Sequence, residues 1–386
     1  MQPTPIAIAI AMSSSLIAQG TASFTTSELA PTVIQFTDTS SGGTPIAWDW
    51  DFENDGVVDA TNQNPVFAYP GTGIYQCSLT VDFGTGTDTV VQNVFISVLP
   101  IPDFGNTYVS GTQTRGFWFM APTRFSITSA KVPDESAHGL QNVAIYRMTG
   151  APPVYTASTT GGLEFLSTGT ASSSAIPCAV SFDTGEFVGV IGACGDASTM
   201  RNSYGTPSGP FQSSILGQAT TLTRFITQTN LVSSNGLGPY SQTLSGAISR
   251  VELTISSCVG LPYGNGSPSS QAQAPILRTS ALPFLGQTAT LTLENFDANA
   301  LGILAVGIGR ANIPTPLGDV LIGTLAGSVP LNGGALMTPG SYDFTFPIPS
   351  NPALQGFGPV NWQSACLVTG TGEFALSNGN EWWLEL

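Results

Sequence analysis

The stretch 46-IAWDWDF-52 alternates large apolar side chains with acidic ones at a period of two. An extended strand sends successive side chains to opposite faces. Ile46, Trp48, Trp50 and Phe52 are therefore expected on one face, with Asp49 and Asp51 on a wet one. The same period returns at Tyr75, Cys77, Leu79 and Val81, at Phe125 and Ile127, and at Val251, Leu253 and Ile255. Helical periodicity, with apolar positions three and four apart, is nearly absent. Short β-rich runs recur between Gly, Pro, Asn and Ser clusters, at the spacing of sandwiches. The fold class is all-β.

Two seams divide the chain. Prolines interrupt a strand-like run in 98-VLPIPDFGN-106, and 258-CVGLPYGNGSPSSQAQAP-275 has the composition of a linker. Three tandem β-sandwich modules are expected, at 20–100, 104–258 and 270–386. Residues 1–19 stand apart and read two ways. The apolar run ending in small residues suits an export signal, although it has no basic n-region. The alternative is a strand, because Ile6, Ile8, Ile10 and Met12 alternate with alanines; it could pair with a neighbouring subunit by strand addition.

Only 9% of the residues are charged, against roughly 25% in ordinary globular proteins. The net charge is −15, with one lysine (Lys131) and one histidine (His138). That balance excludes nucleic acid as a partner, because no basic patch can neutralise phosphates. It suits a chain kept soluble by acidic repulsion, or one that meets divalent cations. No run of 18 apolar residues indicates a membrane span. The five cysteines form no CxxC pair, which argues against zinc. In an exported chain, Cys178–Cys194 and Cys258–Cys366 are the expected disulfides; the former's short loop would contribute about 3 kcal/mol. The alternative is five reduced core thiols. Cys77 is expected to be a buried thiol either way.

The segments VIQFTDTSSGG, IAWDWDFENDG, NPVFAYPGTGIYQCSLTV and VVQNVFISV resemble a PKD (polycystic-kidney-disease) domain. The resemblance implies an immunoglobulin-like sandwich over residues 20–100, of a kind that serves elsewhere as a spacer or interaction module in exported proteins. The later modules resemble β-sandwiches of secreted bacterial proteins, and that likeness brings no assigned activity.

The turn after the tryptophans reads DFENDG, one residue longer than the usual PKD turn. Counted from Asp51, oxygen-bearing side chains fall at the spacing of a twelve-residue calcium loop. They are Asp51, Glu53, Asp55, Asp59 and Asn62, with Gly56 at the sharp turn and the Val57 carbonyl next. Asn62 replaces the bidentate glutamate, and the loop leaves a strand rather than a helix. The alternative is an acidic turn whose side chains bond nearby backbone amides.

Other chemistry finds little purchase. In 133-PDESAH-138, Asp134, Glu135 and His138 could hold a metal only on a helix, and Pro133 and Gly139 frame a turn. The single histidine leaves no second imidazole for zinc, and no G-x-S-x-G elbow occurs. Carboxylates for glycoside hydrolysis (Asp183, Glu186, Asp196, Glu252, Glu294 and Asp297) are scattered, so no pair stands out. Sugars stack on exposed flat rings, for which Trp118, Tyr240, Trp362, Trp382 and Trp383 are candidates.

The expectation is a secreted, non-catalytic structural or adhesive surface protein that self-associates through strand addition. A carbohydrate-binding accessory module is the first alternative. A hydrolase with a carboxylate pair is the second.

Overall fold

The computed structural model describes residues 20–30, 33–69, 73–269, 274–338 and 340–384. Residues 1–19, with their two readings, lie outside the described residues. The chain divides into two compact units, one ending at Ile96 and the other starting at Ser97.

The first unit packs two three-stranded sheets over one core. Phe24–Ala30, Val33–Asp38 and Val66–Ala68 form one sheet; Ala47–Asp51, Gly73–Asp82 and Thr87–Ile96 form the other. Register sets Trp48 opposite Val81 and Trp50 opposite Leu79. Trp50 is fully buried, with ring centroids of Phe24 at 5.2 Å and Phe36 at 5.4 Å. Its indole N–H donates to the Asn62 carbonyl at 2.9 Å, so the ring's one polar atom is satisfied inside the core. Trp48 packs against the same cluster, and its N–H donates to Asp38 at 2.8 Å. Cys77 is buried there too.

The alternation breaks at both ends of the stretch. Ile46 is 63% exposed because the strand begins only at Ala47. Asp51, expected to face water, is 8% exposed. Its two carboxylate oxygens turn into the following loop and accept the amides of Asp55 (3.1 Å) and Gly56 (2.7 Å). Gly56 takes φ +90°, which a side chain would strain.

The second unit is also built of sheets. A nine-stranded sheet contains Leu163–Ala171, Leu140–Met148, Phe187–Gly195, Thr114–Met120, Gln218–Thr227 and Phe211–Ile215 in that order. A three-stranded sheet of Ile176–Phe182, Phe125–Lys131 and Glu252–Ser256 shares its core, in which Phe117, Phe119, Phe125, Ile127, Phe182 and Val190 are fully buried. Further on, a five-stranded sheet runs Val259–Tyr263, Glu373–Trp383, Val360–Val368, Ala300–Thr315, Gly318–Pro330. It shares a core with Ile276–Ala281, Thr288–Glu294 and Tyr342–Pro347. Among the described residues the α-helical content is one turn, Leu231–Ser234, capped by the Asn230 side chain.

The two cores of this unit are joined where a linker was expected. Val259–Tyr263 is a strand paired with Glu373–Trp383, and the Gly260 amide donates to Ser181 Oγ in the preceding sandwich at 2.9 Å. Glu381, 5% exposed, anchors the junction. It accepts from Arg310 through both oxygens (2.9 and 3.2 Å) and from the Trp383 indole at 3.0 Å. Burial opposes ionisation of this carboxyl, but the bonds from Arg310, Trp383 and Asn361 outweigh it and hold it below the usual range. Arg310 reaches on to Asp183 at 3.1 Å, and Arg124 stacks 3.9 Å over the Trp383 ring.

Neither expected disulfide forms; the five cysteines are thiols. Cys178 Sγ bonds the Ile127 carbonyl, whereas Cys194 Sγ lies by the carbonyls of Val132 and Pro133. Those contacts are five residues apart along one extended stretch, about 16 Å, and a disulfide needs Cα atoms within about 7 Å. Cys258 lies just before Val259, which pairs with Trp383, while Cys366 pairs with Ala375, so most of a long strand separates them. Burial pushes the thiols of Cys77, Cys178 and Cys194 up to about 12 and that of Cys366 up to about 11. A thiol that stays protonated is a poor nucleophile. At pH 8, thiol reagents are therefore expected to label the folded protein far more slowly than the unfolded one. Intact masses with and without reductant should coincide; a shift of two or four hydrogens would show disulfides instead.

Candidate functional site

The acidic loop follows directly from the Trp50 strand. Backbone bonds between Trp50 and both Asp59 and Ala60 fold residues 51–60 back on themselves. Asp51, Glu53 and Asp59 are brought together, with one oxygen of each within 4.8 Å of the others. Asp59 Oδ2 also accepts the Phe52 amide at 2.8 Å. Desolvation and the carboxylates of Asp59, Asp55 and Asp51 push the Glu53 carboxyl up. The remaining positions of the expected calcium spacing are used differently. Asp55 Oδ1 accepts the Val57 amide at 2.9 Å and lies outside the three-carboxylate group. The Asn62 carbonyl takes the Trp50 indole, and the Asn62 side chain is exposed.

The second candidate is a cleft on the outer face of the nine-stranded sheet. In Thr114–Met120, Phe117 and Phe119 enter the core, so Trp118 and Met120 point the other way. Register places Trp118 between Gly189 and Thr223, and Met120 opposite Phe187. The rings of Trp118 and Phe187 lie 6.1 Å apart at 37°. With Met120, Thr221 and Thr223 they line a cavity of about 440 Å³. The Trp118 indole N–H donates to Gln242 Oε1 at 3.2 Å, and Gln242 is itself held by the Pro152 carbonyl at 2.6 Å. The ring is thus fixed in place beside threonine hydroxyls. Sequence reading found Trp118 but not Phe187 or Met120, because cross-strand neighbours depend on register.

The other tryptophan candidates are not open platforms. Trp382 and Trp362 are 2% and 8% exposed and pack on each other in the C-terminal core, with ring centroids 5.1 Å apart. Trp383 is covered by Arg124. Tyr240 is 4% exposed. Adjacent residues of a strand do point to opposite faces, but the junction covers the second face as well.

The remaining chemistry resolves into structural contacts. The PDESAH segment is a turn in which Asp134 accepts the amides of His138 (3.0 Å) and Gly139 (2.8 Å) and the Ser172 hydroxyl (2.7 Å). Glu135 pairs with Arg250 at 2.6 Å. Of the scattered carboxylates, Asp183 pairs with Arg310 and Glu186 with Arg147. Asp196 closes its own turn with Ser198, and Asp297 accepts from Ser269 at 2.8 Å. Glu294 and Glu164 line one cleft of about 320 Å³, and Arg278 holds both, at 3.3 and 3.2 Å.

Residues 16–98 match the family model of the PKD domain. A solved PKD1 domain from the Vibrio cholerae metalloprotease PrtV is 29% identical, covering 20% of this chain and 95% of its own, with a TM-score of 0.18. A solved carbohydrate-binding module of the β-sandwich superfamily is 12% identical, covering 63% of this chain and 98% of its own, with a TM-score of 0.21. No curated protein matches the chain. The molecule is an all-β protein of packed sheets. Its first unit is a PKD domain with the immunoglobulin-like fold.

The carboxylate group gives a pH dependence with a definite sign. A raised Glu53 pKa means the folded state holds the proton more tightly. Stability therefore falls as pH rises from the ordinary 4.5 through the folded value. Glu53→Gln is expected to raise the melting temperature of the first unit at pH 7 and to remove that fall. For an exposed site the gain should stay within about 0.5 kcal/mol, or about 2–4 °C. A lower melting temperature would mean that the carboxylate contributes more than it repels.

Proposed function

We propose that this chain is a non-catalytic extracellular surface protein, structural or adhesive, that self-associates through its sheet edges. The observation that carries this reading is the PKD domain, since such domains serve as spacers and interaction modules in exported proteins. Two further features support it. Against a hydrolase, Asp183, Glu186, Glu164 and Glu294 are held by arginines, Asp196 by its own turn and Asp297 by Ser269. Cys77, Cys194 and Cys366 are buried, and desolvation keeps their thiols and that of Cys178 protonated, so their reduced state is compatible with an oxidising exterior. Calcium at Asp51, Glu53 and Asp59 belongs to the same reading, because a bound cation would relieve the crowding of three carboxylates in this loop. Antibody labelling of intact source cells is expected to reach the protein; labelling only after permeabilisation would overturn the extracellular reading.

A second reading rests on the cleft at Trp118. A fixed indole beside Phe187, with threonine hydroxyls on the next strand, suits the C–H face and hydroxyl rim of a sugar. Stacked aromatic contacts contribute about 0.5–1.5 kcal/mol beyond area burial. On a glycan array, Trp118→Ala is expected to lose about tenfold of any saccharide signal; the half-buried ring also packs on the core of Tyr146, Phe225 and Tyr240, so the melting temperature should fall, and circular dichroism at the assay temperature checks that the variant is folded. Signals that survive the substitution would take the sugar away from this cleft.

A further inference from the structure

Two arginines of the nine-stranded sheet lack the partner that an acid-rich chain readily supplies. Acidic residues outnumber lysine and arginine by 24 to nine. Arg124, Arg147, Arg250, Arg278 and Arg310 each bridge a carboxylate. Among the described residues, no carboxylate lies within 4.0 Å of Arg115 or Arg224. Register brings these two together. Arg115 stands opposite Ile226, and Arg224 stands opposite Phe117 on the same pair of strands. Residues opposite each other share a face, as do residues two apart along a strand. The arginines are therefore diagonal neighbours on one face, about 7–8 Å apart, within reach of each other's long side chains.

Their surroundings are polar but neutral. Arg115 is 4% exposed. Its Nη1 donates to the carbonyls of Thr114 and Thr227 and its Nη2 to Gln113 Oε1, while its buried Nε has no partner among the described residues. Arg224 is half-buried, and its Nε is likewise buried and unpartnered among those residues. Its Nη2 donates to the Tyr204 hydroxyl at 3.1 Å and its Nη1 to Thr243 Oγ1 at 3.3 Å. Tyr108 stacks on Tyr204 with ring centroids 5.4 Å apart. Ser249, opposite Tyr204 in a β-bridge, is fully buried, and its Oγ has no partner among the described residues. Carbonyl, amide and phenol oxygens satisfy donors but cancel no charge. Burial lowers the pKa of Arg115, and the Arg224 charge adds to that effect against the pull of Tyr204. A guanidinium nonetheless stays charged in a protein. Like charges so placed repel, and a buried charge without a counter-ion is costly. An anion held between the two removes both costs.

We propose that Arg115 and Arg224 form a binding site for one oxyanion group of the sulfate or phosphate type, with the Tyr204 hydroxyl at its edge. Charge selects the occupant. Two guanidiniums match a dianion, and their N–H forks suit its oxygens. A carboxylate brings a single charge and leaves the pair half compensated. Arg224, Tyr204, Tyr108 and Gln113 are half-buried and form the rim, so the group enters from solvent, either as the free ion or as an ester on a polysaccharide that stays outside. The site is separate from the Trp118 cleft. Trp118 points away from Phe117, whereas Arg115 lies on the Phe117 face.

Isothermal titration of the full chain with sulfate, phosphate and acetate at matched ionic strength tests this. Sulfate or phosphate is expected to give saturable heat at one ion per chain, and acetate to bind at least ~10-fold more weakly. Arg224→Gln should weaken the dianion at least ~10-fold, the equivalent of one hydrogen bond to a charged group. Lys131→Gln removes one positive charge elsewhere and should leave binding unchanged. Circular dichroism checks that Arg224→Gln is folded; if it is not, Arg224→Lys, which keeps the charge but loses the fork, should show the weakening instead. A sulfated polysaccharide and its unsulfated parent distinguish the two sources. Retention of the sulfated polymer alone, displaced by free sulfate, supports the site with an ester as its occupant. Binding of the free ion without the polymer supports it as an ion site. Absence of saturable heat, acetate binding as tightly as sulfate, or equal losses in Arg224→Gln and Lys131→Gln would overturn it.

Discussion

Aromatic side chains that alternate along strands can leave water only when a second sheet closes over them, and each core of this molecule is built on that constraint. Trp50, Phe36 and Phe52 meet in the PKD unit. Phe117, Phe119, Phe125 and Phe182 do the same in the next sandwich. Truncating a buried ring of this size to alanine typically costs about 3–5 kcal/mol. The polar atoms of the buried rings are mostly satisfied from inside. Trp50 donates to a loop carbonyl and Trp382 to the Thr279 hydroxyl at 2.8 Å, so the loops and the cores hold one another in place.

The scarcity of positive charge has a structural counterpart. With nine lysines and arginines in the chain, several arginines act as connectors rather than as solvated surface. Arg147 ties Glu164 and Glu186, Arg278 ties Glu164 and Glu294, and Arg310 ties Asp183 and Glu381. Two of these links, Arg278 to Glu164 and Arg310 to Asp183, cross from the C-terminal sheets to the preceding sandwich. That crossing explains why the Gly/Pro/Ser stretch after Cys258 does not behave as a free linker at its start. Val259–Tyr263 is recruited as a strand because its backbone completes the sheet beside Glu373–Trp383.

Legibility was uneven at the candidate sites. The carboxylate-rich loop was visible because its members lie close in sequence, yet the chain gathers only Asp51, Glu53 and Asp59. Asp55 goes instead to an amide two residues on, a local bond that spacing alone cannot distinguish from ligation. Trp118 was visible as a residue but its cleft was not, since Phe187 and Thr223 arrive from other strands. The cysteine pairing failed for a related reason. Closeness in sequence says little about distance once the intervening chain crosses from one sheet to another.

Sequence alone determined the all-β class, the PKD identity of the first unit, the burial of Trp50 and Cys77, and the shortage of cations. The PKD identity came from the resemblance of its motifs to that family, and the others follow from composition or from a two-residue period, which are properties of local chain. Only the tertiary structure decided which rings became core and which thiols could meet. Those outcomes depend on register and on the order of strands within each sheet. Both are set by contacts between residues far apart in sequence, and a local pattern carries no information about them.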